Sequence, residues 1–208
     1  MTWLLTSTGR DHYLGLHAAF LPGNEPQIGE IAHALALINR FTGHTSRPYS
    51  VAEHSVLVCD IAAGMGLDAH GQMAALMHDA HEAYCGDMPT PIKDLLGKAW
   101  MEVEHPQAAL VRNHFALRAA HTAHRAAIKV ADLIALATER RDLLPNAAQA
   151  TPWPVLDTPG AQVQPLRLSL AHSPHPWQHW RDAFLLTFHR LDALRQAAPA
   201  PTTAEADA

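Results

Sequence analysis

Glycine, cysteine and aromatic residues are scarce in this chain, and the low glycine and cysteine counts narrow the class of protein. The 208 residues include 11 glycines and two cysteines, Cys59 and Cys85, and only 6% of them are aromatic. The low glycine content, together with the abundance of alanine, favours a helical bundle. Two cysteines are too few for a disulfide scaffold, and we expect both thiols to be reduced and buried.

The chain also lacks a long apolar run and an excess of positive charge. Its apolar stretches stay well short of the roughly 18 residues that a membrane span needs. With 15 basic and 20 acidic residues the net charge is −5, unlike the basic surfaces that bind nucleic acid. Residues 1–6 lack the features of a signal peptide, so we expect a cytoplasmic protein that binds neither membrane nor nucleic acid.

Alanine, by contrast, is abundant, and the apolar pattern is helical. The 38 alanines favour helices, and the hydrophobic share of 48% is typical of a globular chain. Apolar residues recur at steps of three and four, which predicts amphipathic helices and an all-α fold. Helices are predicted over about residues 27–40, 50–64, 68–83, 99–118, 121–144 and 177–197, with another starting at Thr90–Pro91.

We interpret residues 1–198 as a single domain, because no repeat or linker divides them. Ser50 is predicted to cap the second helix, with Glu53 three residues later completing a capping box. The domain consists of an irregular N-terminal segment (1–26), a core (27–145), a proline-rich loop (146–176) and a C-terminal helix (177–197), followed by a tail (199–208) that we expect to be disordered.

The 16 histidines raise the question of metal binding. A few polar residues within apolar helical segments are the strongest candidates for metal ligands. His54, the adjacent pair His78–Asp79, and Asp132 are each flanked by apolar residues in predicted helices. A buried carboxylate is costly unless it is paired or binds a metal. This nitrogen and oxygen set suits a divalent cation such as Mn, Co, Zn, Mg, Fe or Ni, with positions left for water.

Three blocks of this sequence resemble the HD-domain metal-dependent phosphohydrolases, named for their H…HD…D ligand pattern. Residues 78–93, HDAHEAYCGDMPTPIK, are similar to the HDxxE…GDxPTPxK block of bacterial 5′-deoxynucleotidases. INRF at 38–41 and VAEHS at 51–55 resemble the segments that precede that block in the same family. The related deoxynucleoside triphosphohydrolases of phages and bacteria share this arrangement and the Thr-rich start seen here at residues 6–10.

The resemblance implies an HD-domain helical bundle with the metal site between core helices, and it assigns roles residue by residue. His54, His78, Asp79 and Asp132 would bind the metal. Glu82, Arg40 and Asp87 would be catalytic: Glu82 acting on water or on the leaving 5′-oxygen, Arg40 binding phosphate, and Asp87 contacting the sugar and its water network. Phe41 stands where relatives often carry tryptophan beside the sugar, which puts discrimination against ribose in question.

Further cations near these blocks favour a triphosphate substrate. His44, Arg47, His81 and Lys93 are candidates for binding additional phosphates, and Lys129 precedes Asp132 by three residues, on the same helix face. Histidines outside the blocks, His121 among them, are interpreted as surface residues.

We therefore expect a homo-oligomeric enzyme that hydrolyses deoxynucleotides at the 5′-phosphoester, converting a dNTP such as dATP to the nucleoside and tripolyphosphate. Three alternatives stay open: a 5′-deoxynucleotidase acting on dNMPs, a di-iron oxygenase of the HD superfamily that would use His81 and Glu82 as extra ligands, and a non-catalytic module that binds a nucleotide.

Overall fold

The computed structural model describes residues 2–15, 17, 21–146, 149–173 and 175–197. It confirms the predicted all-α class, since a two-stranded sheet is the only sheet among these residues. Its ten helices are α1 Ile28–Leu37, α2 Val51–Gly64, α3 Ala69–Leu76, α4 Glu82–Cys85, α5 Thr90–Leu96, α6 Lys98–His114, α7 Arg118–Ala123, α8 Arg125–Leu143, α9 Pro154–Asp157 and α10 Trp177–Ala197. The predicted disordered tail lies outside the described residues.

The N-terminal segment forms a hairpin that is tied to the first helix. Strands β1 (Trp3–Leu5) and β2 (Asp11–Tyr13) pair antiparallel. In the connecting turn, the hydroxyls of Thr6 and Thr8 and the guanidinium of Arg10 all donate to the carboxylate of Glu30 on α1. The threonine-rich start therefore anchors the hairpin to the bundle.

Helix α2 is the central helix of the bundle and packs against α1, α3, α8 and α10. The predicted N-cap is confirmed, because the Ser50 hydroxyl accepts a hydrogen bond from the backbone N–H of Glu53 at 3.1 Å. The second half of the capping box is absent here, since the Glu53 carboxylate binds Arg47 instead. Ten of the fourteen residues of α2 are buried, which places its middle turn inside the protein.

Two helix ends differ from the predicted ones, and one of them shapes the site. The helix predicted over 68–83 ends at Leu76, so His78 and Asp79 lie in turns before α4 and not within a helix. The apolar pattern continues through Ala80 and concealed this break. The helix predicted over 99–118 ends at His114, because Ala116 adopts a left-handed backbone with φ of 53°.

Smaller boundary differences surround these breaks. The helix predicted over 27–40 ends at Leu37, and Arg40–Gly43 form a separate 3₁₀ turn. The segment 121–144 divides into the end of α7 and the whole of α8 at His124, whose backbone angles, φ −101° and ψ 9°, are not helical. The proline-rich loop contains the short helix α9, which starts with proline at its first position. The C-terminal helix over 177–197 is confirmed.

Two apolar clusters fill the spaces between helices and hold α2 in place. One joins α1, α3 and α10 through residues such as Leu35, Leu76 and Phe184, all fully buried. The other joins α2 and α8, with Val58 packed near Ala131 and Ala135. The site described below lies where α2, α8 and the turn after α3 meet. Among the described residues, no helix has both the length and the apolar character of a membrane span.

Candidate metal centre

Three potential metal ligands converge from separate parts of the bundle. His54 comes from the first turn of α2 and is fully buried, His78 comes from the turn after α3, and Asp132 comes from α8. Nε2 of His54 lies 3.4 Å from Nε2 of His78 and 3.5 Å from Oδ1 of Asp132. One ligand atom from each of the three residues lies within 4.8 Å of the others, so this group could hold a metal ion.

Hydrogen bonds set both imidazoles in the orientation that a metal ligand needs. Nδ1 of His78 donates to the backbone carbonyl of Ala75 at 2.7 Å, and Nδ1 of His54 donates to the carboxylate of Glu139 at 2.6 Å. Because both Nδ1 atoms carry protons, the Nε2 atoms are the positions that can offer lone pairs. Two nitrogens bound to one ion at about 2.1 Å lie roughly 3.0 to 3.4 Å apart, so the observed separation fits a shared ion.

Asp79, the fourth predicted ligand, is not a member of that group of three but lies beside it. Its Oδ2 lies 3.0 Å from Nε2 of His78 and 3.6 Å from Nε2 of His54. Burial alone raises the pKa of Asp79, but the neighbouring His78 and His54 outweigh burial and hold that pKa well below its ordinary value. Burial lowers the pKa of His78, but the charges of Asp79 and Asp132 outweigh it and raise that pKa to about 9. The centre therefore attracts positive charge.

Glu139 is a central residue of the site that the sequence analysis missed. It is fully buried on α8, and it accepts hydrogen bonds from His54, from the Tyr49 hydroxyl at 3.0 Å and from Arg40 at 3.1 Å. Burial raises its pKa, but Arg40 and His54 outweigh this and lower it to about 2. The spacing could have revealed it, because Glu139 follows Asp132 by seven residues, two turns along the same helix face.

Arg40 is held rigidly beside the centre. Its guanidinium lies between Glu139 and Asp79, with Nη1 3.8 Å from Oδ2 of Asp79. The next two residues, Phe41 and Thr42, adopt left-handed φ values of 54° and 53°, which are unfavourable for side chains of this kind. The Phe41 ring lies under the guanidinium, 5.4 Å from its carbon. Such strain is tolerated where the surrounding contacts hold the backbone in one conformation. Here the contacts of Arg40 with Glu139, Asp79 and the Phe41 ring hold this segment in place.

Two more carboxyl groups, Glu82 and Asp87, flank the centre. Glu82 opens α4, is only 3% exposed, and its Oε2 has no hydrogen-bond partner among the described residues. Burial and the charges of Asp79 and Asp87 raise its pKa well above the ordinary value. Asp87 is half-buried in the loop before α5, and burial raises its pKa while the charge of Arg40 opposes the rise. A buried carboxyl group without a partner is typical of functional sites.

A cleft of about 690 Å³ opens onto the centre, within the range common for small-molecule sites. Three predicted cations line it and are paired: Lys93 binds Glu104 at 2.5 Å, His81 lies 3.7 Å from Glu104, and Lys129 binds Asp132 at 2.9 Å. Its lining residues are His78, Asp79, His81, Lys93, Glu104, His105, Ala108, Arg112, His121, Arg125, Ile128, Lys129 and Asp132.

The other two predicted cations lie elsewhere. His44 is exposed, and neither His44 nor Arg47 is among the described residues that line the cleft. Arg47 makes two hydrogen bonds to Glu53, at 2.7 and 3.0 Å, and one to the carbonyl of Leu170. Protein oxygens thus occupy its guanidinium, which ties the loop before α2 to the loop before α10.

Five cleft residues escaped the sequence analysis because they come from helices outside the motif blocks. They are Glu104, His105, Arg112, His121 and Arg125. His121, interpreted above as a surface residue, is half-buried in the cleft, and burial together with the charge of Arg112 lowers its pKa to about 4. Only tertiary packing of α6, α7 and α8 brings these residues to the site.

Comparison with known proteins identifies relatives of this chain. No protein-family model matches it. It is 34% identical over 198 residues to "Uncharacterized protein YfdR" of Escherichia coli strain K12, a match that covers 95% of this chain and 100% of the relative. It is 39% identical over 122 residues to an uncharacterized protein of Rhodobacter capsulatus, covering 56% of this chain and 62% of that protein.

Proposed function

This chain belongs to the family of the Escherichia coli protein YfdR, and we propose that it is a metal-dependent phosphohydrolase of the HD-domain type. In this proposal it cleaves the 5′-phosphoester of deoxynucleotides, with dNTPs as the preferred substrates. The names of the relatives state no activity, so the support comes from the chemistry of the site.

The observation that carries the proposal is the facing pair of imidazole nitrogens. Nε2 of His54 and Nε2 of His78 lie 3.4 Å apart, and Nδ1 of each ring already donates to a protein oxygen. Asp79 and Asp132 bring carboxylate oxygens to within 3.6 Å of the same Nε2 of His54. Such a mixed set fits Mn, Co, Zn, Mg, Fe or Ni. An ion there would supply the Lewis acid that phosphoester hydrolysis uses.

The protein groups around the centre match the remaining needs of that reaction. Water would add to the α-phosphorus, the bond from phosphorus to the 5′-oxygen would break, and the leaving oxygen would take a proton from Glu82. The raised pKa of Glu82 favours the protonated form, which can donate that proton. The attacking water would release a proton to solvent, and Glu82 would take up a proton from solvent, which restores the starting state. A triphosphate would give a deoxynucleoside and tripolyphosphate, and a monophosphate would give phosphate.

Arg40, Asp87 and Phe41 would orient the substrate in this scheme. Arg40 is fixed by Glu139, and its Nη1 faces the metal-binding carboxylate Asp79, where a phosphate bound at the centre would accept its hydrogen bonds. Asp87 would accept a hydroxyl of the sugar. Phe41, held in its left-handed conformation, offers an apolar surface beside the guanidinium for the sugar.

A substrate panel tests the proposal. The protein is stripped with EDTA, reloaded with each of the six metals in turn, and assayed with dNTPs, NTPs and dNMPs while phosphate and tripolyphosphate are resolved. We expect metal-dependent release of deoxynucleoside, lost in Glu82→Gln, with tripolyphosphate as the second product. Release of phosphate from dNMPs alone would identify a 5′-deoxynucleotidase instead.

The same panel separates the non-hydrolytic alternatives. A protein that binds metal and nucleotide but turns over nothing, in both the wild type and Glu82→Gln, would be a binding module, and the enzyme proposal would fail. The di-iron alternative needs more ligands, yet His54, His78 and Asp132 form the single group of three or more found among the described residues. Oxygen uptake by the iron-loaded protein would support it.

A further inference from the structure

The cations that line the cleft differ in whether they are already paired. Lys93 and Lys129 are each within 2.9 Å of a carboxylate oxygen, that of Glu104 or Asp132. Arg112 and Arg125 line the same cleft, and their side chains make no ion pair or hydrogen bond with any described residue. Because Arg112 is half-buried, leaving its guanidinium without an anion is unfavourable.

The two arginines come from different helices that both contribute to the lining of the cleft. Arg112 lies near the end of α6 and Arg125 is the first residue of α8, the helix that also carries Asp132. Burial lowers the pKa of Arg112, Asp79 and Glu104 oppose this, and the nearby charge of Arg125 lowers it further. Both side chains also belong to the lining of the same cleft, so they surround one ligand-sized space.

The charges that line the cleft indicate which kind of anion it suits. Four cationic side chains, Lys93, Arg112, Arg125 and Lys129, line it together with three carboxylates, Asp79, Glu104 and Asp132. With its histidines counted as neutral, the lining is cationic by one charge, and the cations without a carboxylate partner among the described residues are the two arginines. A phosphate chain longer than a monophosphate offers anionic oxygens to the centre and to both arginines at once.

We propose that Arg112 and Arg125 form a polyphosphate subsite that binds the phosphates beyond the one held at the metal centre. Guanidinium groups suit this task, because their forked donors match two phosphate oxygens at once. The subsite would make nucleoside triphosphates the preferred substrate class and would fix the α-phosphorus as the point of attack. This assignment rests on the proposed function for the position of the substrate, although the anion binding itself does not.

Binding of inorganic tripolyphosphate tests the subsite without any turnover. Calorimetric titration of the Mn²⁺-loaded protein should show tripolyphosphate binding that weakens by about tenfold or more in Arg112→Gln and Arg125→Gln. Arg167→Gln, an exposed arginine outside the cleft lining, is the matched control and should bind like the wild type. Thermal unfolding of each variant checks that it folds, and Arg125→Gln, at an exposed position, keeps the test available if Arg112→Gln is unstable.

Two results would overturn the subsite: tripolyphosphate binding that is unchanged in the double variant, or no binding to the wild type at all. Inorganic phosphate, which should bind equally to all variants, shows whether the loss is specific to the longer chain. An equal loss for both ions would place the arginines on the metal-bound phosphate and would also refute the subsite.

Kinetics then connect the subsite to the enzyme. In the double variant kcat/KM for a dNTP should fall by at least about tenfold relative to that for the matching dNMP. If no substrate is turned over but the tripolyphosphate binding difference is present, the proposed hydrolysis fails and the subsite stands. If hydrolysis is found with no change in the dNTP to dNMP ratio, the subsite fails and the hydrolase stands.

Discussion

Glu139 holds His54 through a hydrogen bond of 2.6 Å between its Oε1 and Nδ1 of the imidazole. Both residues are fully buried, and the same carboxylate also binds Arg40 and Tyr49. One group therefore fixes the tautomer of a candidate metal ligand and the position of a candidate phosphate ligand. This pairing of carboxylate, histidine and metal is a common way of raising the basicity of a ligand.

Removing the charge of Glu139 should weaken metal binding even though Glu139 does not face the metal position. We expect Glu139→Gln to reduce the affinity for Mn²⁺ or Co²⁺ by roughly 10- to 100-fold, because a neutral amide is a weaker acceptor for the N–H of His54 and no longer raises the basicity of its imidazole. Calorimetric titration measures the change, with Glu102→Gln, an exposed carboxylate on α6, as the control. Equal affinity in Glu139→Gln and the wild type would contradict a role of Glu139 in metal binding.

Metal binding should also raise the thermal stability of the protein. An ion at about 100 times its Kd stabilises the folded state by about 2.7 kcal/mol, which corresponds to a rise in Tm of roughly 5 to 10 °C for a domain of this size. Asp132→Asn should abolish most of that rise while changing the Tm of the metal-free protein little, because Asp132 is a partly exposed residue. Asp94→Asn, exposed on α5, should behave like the wild type.

The candidate ligands could be picked out from the sequence because each is a polar residue in an apolar setting. His54 and Asp132 lie in helices whose period is unmistakable, and the cap at Ser50 fixes where α2 begins. The end of α3 at Leu76 could not be predicted in the same way, because apolar residues continue the helical spacing through Ala80. Because α3 ends there, His78 and Asp79 lie in turns at the centre. Local helix propensity therefore does not predict the end of α3, whereas the geometry of the site accounts for it.

The cleft residues could not be predicted for a different reason. Arg112 and Arg125 lie in two different helices outside the motif blocks, and only the folded chain brings both into the lining of one cleft. Arg47 illustrates the opposite case. Its place near the motif indicated a phosphate ligand, whereas the structure pairs it with Glu53. Proximity in sequence to a motif is a weaker indicator of function than the pairing state of the side chain.

Arg47 should therefore act on stability and not on substrate binding. Arg47→Gln leaves the carboxylate of Glu53, which is 4% exposed, without its partner, and we expect the free energy of unfolding to fall by about 1 to 3 kcal/mol. Urea denaturation measures the loss, and Glu53→Gln in the same chain should recover part of it. The KM for a dNTP should stay unchanged; a several-fold increase with normal stability would restore Arg47 as a phosphate ligand.

Acid should weaken the attachment of the N-terminal hairpin through Glu30. Burial raises the pKa of Glu30, but the hydrogen bonds from Arg10, Thr8 and Thr6 outweigh it and lower the pKa from 4.5 to about 2. Because the folded state holds this carboxyl ionised, its contribution is complete above about pH 4.5 and is lost as the pH falls toward 2. We expect a contribution of roughly 2 kcal/mol at neutral pH.

Urea denaturation at pH 7, 4.5 and 3 would measure this dependence. Glu30→Gln should be less stable than the wild type at pH 7, and the difference should shrink between pH 4.5 and 3, since protonation removes the same charge from the wild type. Glu25→Gln is the control, because its carboxylate is exposed, and its stability should follow that of the wild type at each pH. A difference between Glu30→Gln and the wild type that stays constant with pH would mean that packing, and not the ionised carboxylate, anchors the hairpin.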